Sequence, residues 1–163
     1  MNTASDIVSR RFSVEDLLVH ALAIEFEAAQ SYKDLAELME LSGNTEVAKI
    51  FAKMSGVEAR HAADIGEQLS DYKLPGLTPW QYRWRGLEAP ENIDRARLHC
   101  FMTPHQALSL ALDSEKRAYE FFAGVVDFST DERVCELAAG FAADEEQHVA
   151  WVEEWLAKAL TGD

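Results

Sequence analysis

The chain has 163 residues, of which 48% are hydrophobic and 27% are charged, and this length and composition predict a single globular domain over residues 1–163. The 15 basic and 29 acidic residues give a formal net charge of −14, which argues against binding to nucleic acid or to an anionic membrane surface. Neither a secretory signal nor an apolar stretch long enough to cross a bilayer is visible, so we expect a cytoplasmic protein.

Apolar residues at three- and four-residue steps predict two helices in the first half of the chain. The first covers about residues 13–41, and it opens on Ser13-Val14-Glu15-Asp16, a pattern like a capping box. It ends near Ser42-Gly43-Asn44, where glycine favours a helix C-terminus. The second helix covers about residues 45–70.

Residues 71–103 are rich in Pro, Gly, Trp and Arg, and they show no sustained periodicity. A connection of this length is typical of a crossover between two helices that are not adjacent and antiparallel. Within it, the segment from Trp80 to Arg85 is either packed against the bundle or a docking surface for a redox partner or a second subunit. Cys100 and Cys135 form no Cys-x-x-Cys pair, and we interpret them as small buried residues.

Two further helices are predicted in the second half, at about 104–126 and 130–160. The third begins at Thr103-Pro104, an N-cap residue followed by proline at the first helical position. The fourth begins after Ser129-Thr130-Asp131-Glu132, which places acidic residues in its first turn. The fold class is therefore all-α, with four helices in an antiparallel bundle and a long crossover between the second and third.

Matching Glu-x-x-His pairs lie in the two halves of the chain, and a lone glutamate precedes each pair at a similar distance. Glu58 and His61 follow Glu25, whereas Glu145 and His148 follow Glu115. The three-residue spacing places each Glu and His on one helix face. All six residues fall on the apolar stripes of the predicted helices.

The free energy needed to bury an ionised carboxylate in an apolar core exceeds the net free energy of unfolding of a typical domain. Four such carboxylates close together also repel one another. Lys116 and Arg117 lie off the stripe, so neither is placed to neutralise these charges. Two metal cations would neutralise four carboxylates directly. Ligand sets of carboxylate and imidazole suit iron or manganese, so these residues predict two metal ions and leave two iron ions, two manganese ions and a mixed pair open.

With these residues the chain resembles the rubrerythrin-type ferritin-like proteins, and more distantly the bacterioferritins, from about Phe12 to Leu160. The resemblance implies a ferritin-like bundle in which Glu25, Glu58, His61, Glu115, Glu145 and His148 are the metal ligands. It further implies that Glu58 and Glu145 bridge two ions and that Tyr32 forms a hydrogen bond near them. By the same resemblance Asp144 could orient His61, and the protein would be a homodimer.

The chain departs from the rubrerythrin pattern in two ways. Leu112 occupies the position where rubrerythrins carry an additional glutamate, so the ligand exchange linked to that residue is not expected. Cys-x-x-Cys pairs of a rubredoxin domain are absent from the sequence, so electrons would come from a rubredoxin-like protein or another external reductant.

The resemblance predicts a non-haem di-iron oxidoreductase that reduces hydrogen peroxide or O2. The alternatives are a ferroxidase, an iron-binding or iron-carrier protein, and an interaction module whose metal only holds the fold together. Other candidate ligands are weaker. His20, His99 and His105 have no partner at ligand spacing, and we interpret them as structural or exposed. Glu27, Glu120 and Glu146 point away from the stripes, and we expect them at the surface.

Overall fold

A computed structural model describes residues 12–72, 93, 97–99 and 101–161 of the chain. The described residues form four helices, α1 (Val14–Leu41), α2 (Thr45–Leu69), α3 (Pro104–Phe128) and α4 (Glu132–Thr161). These bounds differ from the predicted ones by no more than two residues at either end. Helix α1 packs along α2 and α3 packs along α4, and α1 also contacts both helices of the second hairpin.

Local signals in the sequence account for the helix ends. The Ser13 hydroxyl accepts a hydrogen bond from the Asp16 backbone N–H at 3.0 Å, and the Asp16 carboxylate accepts one from the Ser13 N–H at 3.1 Å. Thr103 and Gln106 make the equivalent pair of bonds at the start of α3, next to Pro104. These capping boxes satisfy N–H groups that a helix leaves without a partner.

The turn between α1 and α2 depends on a left-handed residue. Gly43 has a φ of 79°, which a residue with a Cβ adopts only with strain. The following N–H, of Asn44, then bonds to the Met39 carbonyl at 2.8 Å. This is the hairpin reversal that the sequence Ser42-Gly43-Asn44 predicts.

The buried apolar side chains form two clusters, with the six predicted ligands between them. Along each helix, the predicted ligand glutamate separates residues of one apolar cluster from residues of the other. In α1, Ile24 belongs to the first cluster and Ala28 to the second, on either side of Glu25. The same alternation surrounds the other three glutamates. The bundle therefore holds a polar layer enclosed above and below by apolar core.

The other histidines and the cysteines, which lie outside this layer, agree with the sequence predictions only in part. His20 is buried, bonds through Nδ1 to the Asp16 carbonyl at 2.6 Å, and packs on Phe12 and Phe121, which is a structural role. His99 and His105 are exposed. The Cys135 side chain is partly buried. Cys100, the segment from Trp80 to Arg85 and most of the predicted crossover lie outside the described residues. No described helix combines the length and apolarity that crossing a membrane requires.

Candidate metal centre

The six side chains that the sequence singles out meet in the polar layer. Helix α1 supplies Glu25, and α2 supplies Glu58 and His61. Helix α3 supplies Glu115, and α4 supplies Glu145 and His148. The four glutamates are at most 1% exposed, and the His148 side chain is 3% exposed, whereas 27% of the His61 side chain is exposed. Each hairpin therefore contributes two carboxylates and one imidazole to a buried cluster.

Glu58 lies at the middle of the cluster and faces both histidines. Its Oε2 is 3.4 Å from His61 Nδ1, and its Oε1 is 3.1 Å from His148 Nδ1. His61 Nδ1 is also 3.5 Å from Glu25 Oε2. The two oxygens of one carboxylate thus point to two different nitrogens, which is the placement that a bridging ligand needs.

His148 faces both glutamates of the second hairpin. Its Nδ1 is 3.4 Å from an oxygen of Glu115 and 3.4 Å from an oxygen of Glu145. In the described part of the chain, two sets of three side chains could each hold a metal ion, one of Glu58, His61 and His148 and one of Glu115, Glu145 and His148. Within each set the ligand atoms lie within 4.8 Å of one another. The two sets share His148, whose Nδ1 can bind only one ion at a time.

The strongest evidence for a bound cation is a set of buried N and O atoms, in the described portion of the chain, that have no hydrogen-bond partner. Eight side-chain N and O atoms of the described residues are buried without a hydrogen bond, and all eight belong to the six cluster residues. They include both oxygens of Glu58 and of Glu145 and the Nδ1 atoms of both histidines. Buried polar groups in native proteins are almost always paired, and an unpaired charged group is costly. The close N···O approaches without hydrogen-bond geometry fit donor atoms arranged around metal ions.

In the described part of the chain, the ion-pair partners of the four carboxylates are the two histidines. Lys116, which follows Glu115, forms its ion pair with Glu153 at 3.6 Å on the surface. Protonation of both histidines would offset two of the four carboxylate charges. Two divalent cations would offset all four.

Burial and neighbouring charges shift the pKa values of the cluster residues away from their ordinary values. Burial raises the pKa of Glu145 to about 8 and raises that of Glu25 well above its ordinary value. Burial also acts to raise the pKa of Glu58, but the contacts to the two histidines outweigh it and lower that pKa to about 2. The contacts with Glu25 and Glu58 raise the pKa of His61 to about 10. The cluster therefore retains protons that metal ions would displace.

Tyr32 holds one of the carboxylates from outside the cluster. Its hydroxyl donates a hydrogen bond to Oε1 of Glu115, linking α1 to α3, and both residues are fully buried. The Tyr32 ring also stacks on Phe51, with centroids 6.0 Å apart. A hydrogen bond of this kind fixes the orientation of a ligand carboxylate. The structure therefore places Tyr32 beside the cluster, where the resemblance expects it.

Asp144 does not join the cluster. Its side chain is exposed, and it makes no hydrogen bond to His61 among the described residues, so the structure gives no support to the predicted contact. The physical reason is helical rotation: a residue next to Glu145 lies roughly 100° away from the buried face. Glu120 and Glu146 are exposed as expected, whereas Glu27 is partly buried.

The sequence analysis did not identify Trp151 as a neighbour of the cluster. The Trp151 ring stacks on the His148 ring, with centroids 5.3 Å apart and planes at 23°. Its spacing of three residues from His148 places it one turn further along the same helix, and that spacing was the available signal. The two histidine rings also stack on each other, at 5.4 Å and 8°.

The chain is similar to known proteins in sequence and in fold. The sequence model of the rubrerythrin family matches residues 16–156. A crystal structure of an uncharacterised conserved protein from Magnetospirillum magnetotacticum MS-1 matches 90% of this chain and 95% of its own, with 35% identity and a TM-score of 0.76. A 66-residue stretch is 41% identical to chloroplastic magnesium-protoporphyrin IX monomethyl ester oxidative cyclase 1 of Chlamydomonas reinhardtii. That stretch is 40% of this chain and only 16% of the cyclase.

The family match extends over most of the chain and includes all six cluster residues. The structural match supports the predicted all-α bundle over nearly the full length of both proteins. Together they confirm the predicted family and fold: this chain belongs to the rubrerythrin family and has the four-helix bundle of the ferritin-like di-iron proteins.

Proposed function

We propose that the chain is a non-haem di-iron oxidoreductase that reduces hydrogen peroxide, or O2, at a dinuclear site formed by the six cluster residues. The single observation that carries this proposal is the set of eight buried N and O atoms without hydrogen bonds, all of which face one another across the polar layer. Membership of the rubrerythrin family supports the choice of a di-iron site.

Each residue has a role that its position supports. Glu58 faces both histidines and would bridge the ions, with Glu145 as the second bridge. Glu25 and His61 would complete one position, and Glu115 and His148 the other. Carboxylate and imidazole ligands without thiolates favour iron or manganese. Bound ferrous ions would supply the electrons with which peroxide is reduced to water.

The remaining residues prepare this layer for the chemistry. The apolar clusters above and below the layer exclude bulk water, which strengthens electrostatic interactions within it. Tyr32 holds Glu115 in place and keeps a proton at the edge of the layer. Each peroxide consumes two electrons and two protons, so an external reductant such as a rubredoxin-like protein completes the cycle. We further propose a homodimer as the working unit, which light scattering tests.

A second candidate function, oxidation or carriage of iron without sustained turnover, is favoured by the net charge of −14, because such a surface attracts cations. The name of the cyclase relative includes an oxidative reaction, which supports redox chemistry in a protein that shares a 66-residue stretch with this chain. The two functions use the same residues. They are therefore distinguished by the oxidant that reacts and by whether the protein turns over repeatedly.

A stopped-flow experiment separates these functions. Protein loaded anaerobically with two ferrous ions per chain is mixed with hydrogen peroxide or with O2, and oxidation is followed by absorbance. Faster oxidation by peroxide, with repeated turnover when reductant is added, supports the peroxidase. Oxidation by O2 followed by accumulation of ferric ion supports the ferroxidase.

The variant Glu58→Gln removes the central carboxylate, and Glu67→Gln on the exposed face of the same helix is its matched control. We expect Glu58→Gln to bind fewer than two ions and Glu67→Gln to bind two. If Glu58→Gln still holds two ions per chain by elemental analysis, the assignment of the site is wrong.

A further inference from the structure

The two halves of the cluster differ in their contact with solvent. We call Glu25, Glu58 and His61 the open position, and Glu115, Glu145 and His148 the sealed position. The His61 side chain is 27% exposed, whereas the His148 side chain is 3% exposed. The four glutamates are all buried. In the described part of the chain, His61 is therefore the cluster residue whose side chain reaches solvent, although its Nδ1 is buried with the other donor atoms.

The ligands of the sealed position are also held more firmly. Tyr32 donates a hydrogen bond to Glu115, and Trp151 stacks on the imidazole of His148. At the open position, His61 stacks within the described part of the chain on His148 alone. A ligand whose orientation is fixed by its neighbours loses less entropy on binding and moves away from the ion less readily.

Release of a buried metal ion requires its ligands to be replaced one at a time by water or by a chelator. At the open position, His61 can turn toward solvent and admit the first replacement. At the sealed position, both the terminal carboxylate and the imidazole are held in place, and no ligand has comparable access to water. The structure thus provides a route for exchange at one position and closes it at the other.

Building on the proposed two-ion function, we propose that the two positions are kinetically inequivalent, with the ion at the open position exchanging and the ion at the sealed position retained. The protein then passes through a defined one-ion state, in which His148, Glu115 and Glu145 hold the remaining ion. This distinction depends on His61 and on the supports from Tyr32 and Trp151, not on the identity of the ligands, which are alike in the two halves.

Chelator kinetics on the intact chain test this proposal without any measurement of activity. Wild-type protein loaded with two Co²⁺ ions per chain is mixed rapidly with EDTA, and release of Co²⁺ is followed by its visible absorbance. We expect two phases of equal amplitude, with rates at least about tenfold apart. A single phase that releases both ions would overturn the inference but leave the two-ion site intact. Failure to bind two Co²⁺ ions would instead overturn the proposed function, and this inference with it.

A matched pair of variants assigns the phases. Glu25→Gln removes the terminal carboxylate of the open position, and Glu115→Gln removes that of the sealed position. We expect Glu25→Gln to keep one ion that is released slowly, and Glu115→Gln to keep one that is released fast. The opposite assignment would contradict the proposal.

Trp151 provides a second assignment that leaves all six ligands unchanged. The variant Trp151→Ala removes the ring that stacks on His148 and keeps every ligand in place. We expect it to speed the slow phase of Co²⁺ release and to leave the fast phase unchanged. A change in the fast phase alone, or in neither phase, would refute the inference even if both glutamine variants failed to bind metal.

Discussion

Replacing Glu145 by glutamine should have opposite effects on the metal-free and the metal-loaded protein. In the metal-free protein, Glu145 is fully buried among other carboxylates, and burial raises its pKa from 4.5 to about 8. The folded state therefore holds a proton that the unfolded chain releases near neutral pH. A raised pKa contributes stability that is complete below about pH 4.5 and is lost as the pH rises through 8.

The size of the effect follows from the pKa. One pKa unit corresponds to about 1.4 kcal/mol, so a shift that spans the interval from pH 4.5 to pH 7 costs about 3 kcal/mol of stability at pH 7. Glutamine does not titrate, and it has nearly the shape of the protonated glutamate. Glu145→Gln should therefore stabilise the metal-free protein by up to about 3 kcal/mol at pH 7, which raises its melting temperature by roughly 6–12 °C for a chain of this size.

The loaded protein should respond in the other direction. Each ion present at a hundredfold excess over its dissociation constant stabilises the wild type by about 2.7 kcal/mol. Glu145→Gln loses a carboxylate that we propose bridges the two ions, so most of this gain should disappear. The variant would thus melt above the wild type without metal and gain much less when metal is added.

Differential scanning calorimetry at pH 7, with and without Co²⁺, measures both effects. Glu146→Gln is the matched control, because Glu146 is exposed on the same helix turn, and it should change stability by no more than about 0.5 kcal/mol. The reasoning is refuted if Glu145→Gln lowers the melting temperature of the metal-free protein, or if the gain from metal survives in full.

Three further predictions follow from contacts described above. Tyr32→Phe should weaken Co²⁺ binding by about tenfold, because a ligand carboxylate loses its hydrogen bond; an unchanged titration curve would contradict this role. Metal affinity should rise between pH 6 and 9, because Glu145 and His61, with pKa values of about 8 and 10, lose protons on loading; calorimetry in buffers of different ionisation enthalpy counts those protons, and a pH-independent affinity argues against it. Gly43→Ala should destabilise the fold by about 1–2 kcal/mol in urea unfolding, because its φ is positive; Gly66→Ala, in a helix with open space around it, is the control and should not destabilise.

The helices and the candidate ligands could be predicted from the sequence because each produces a periodic pattern. A helix that buries one face repeats its apolar residues every three or four positions, and a metal site in such a bundle interrupts that repeat with Glu and His. Glu58 and Glu145 interrupt it at corresponding places, so one pattern gave both the fold and the candidate site.

Features that depend on how helices rotate against each other were not accessible in this way. The difference in exposure between His61 and His148 arises from packing between helices, and the two residues have the same local pattern. Trp151 lies on the His148 turn, yet spacing alone does not distinguish stacking on a ligand from packing in the core. For Asp144, family analogy favoured a contact that simple helical geometry argues against.

The division of the ligands between the hairpins has one last consequence. Each hairpin carries one lone glutamate and one Glu-x-x-His pair, so two copies of either hairpin would present the same donor set as the whole chain. A duplicated hairpin would therefore supply the same donors to a dinuclear centre. A single polypeptide allows the two copies different surroundings, as His61 and His148 have, whereas a symmetric dimer of identical halves would not.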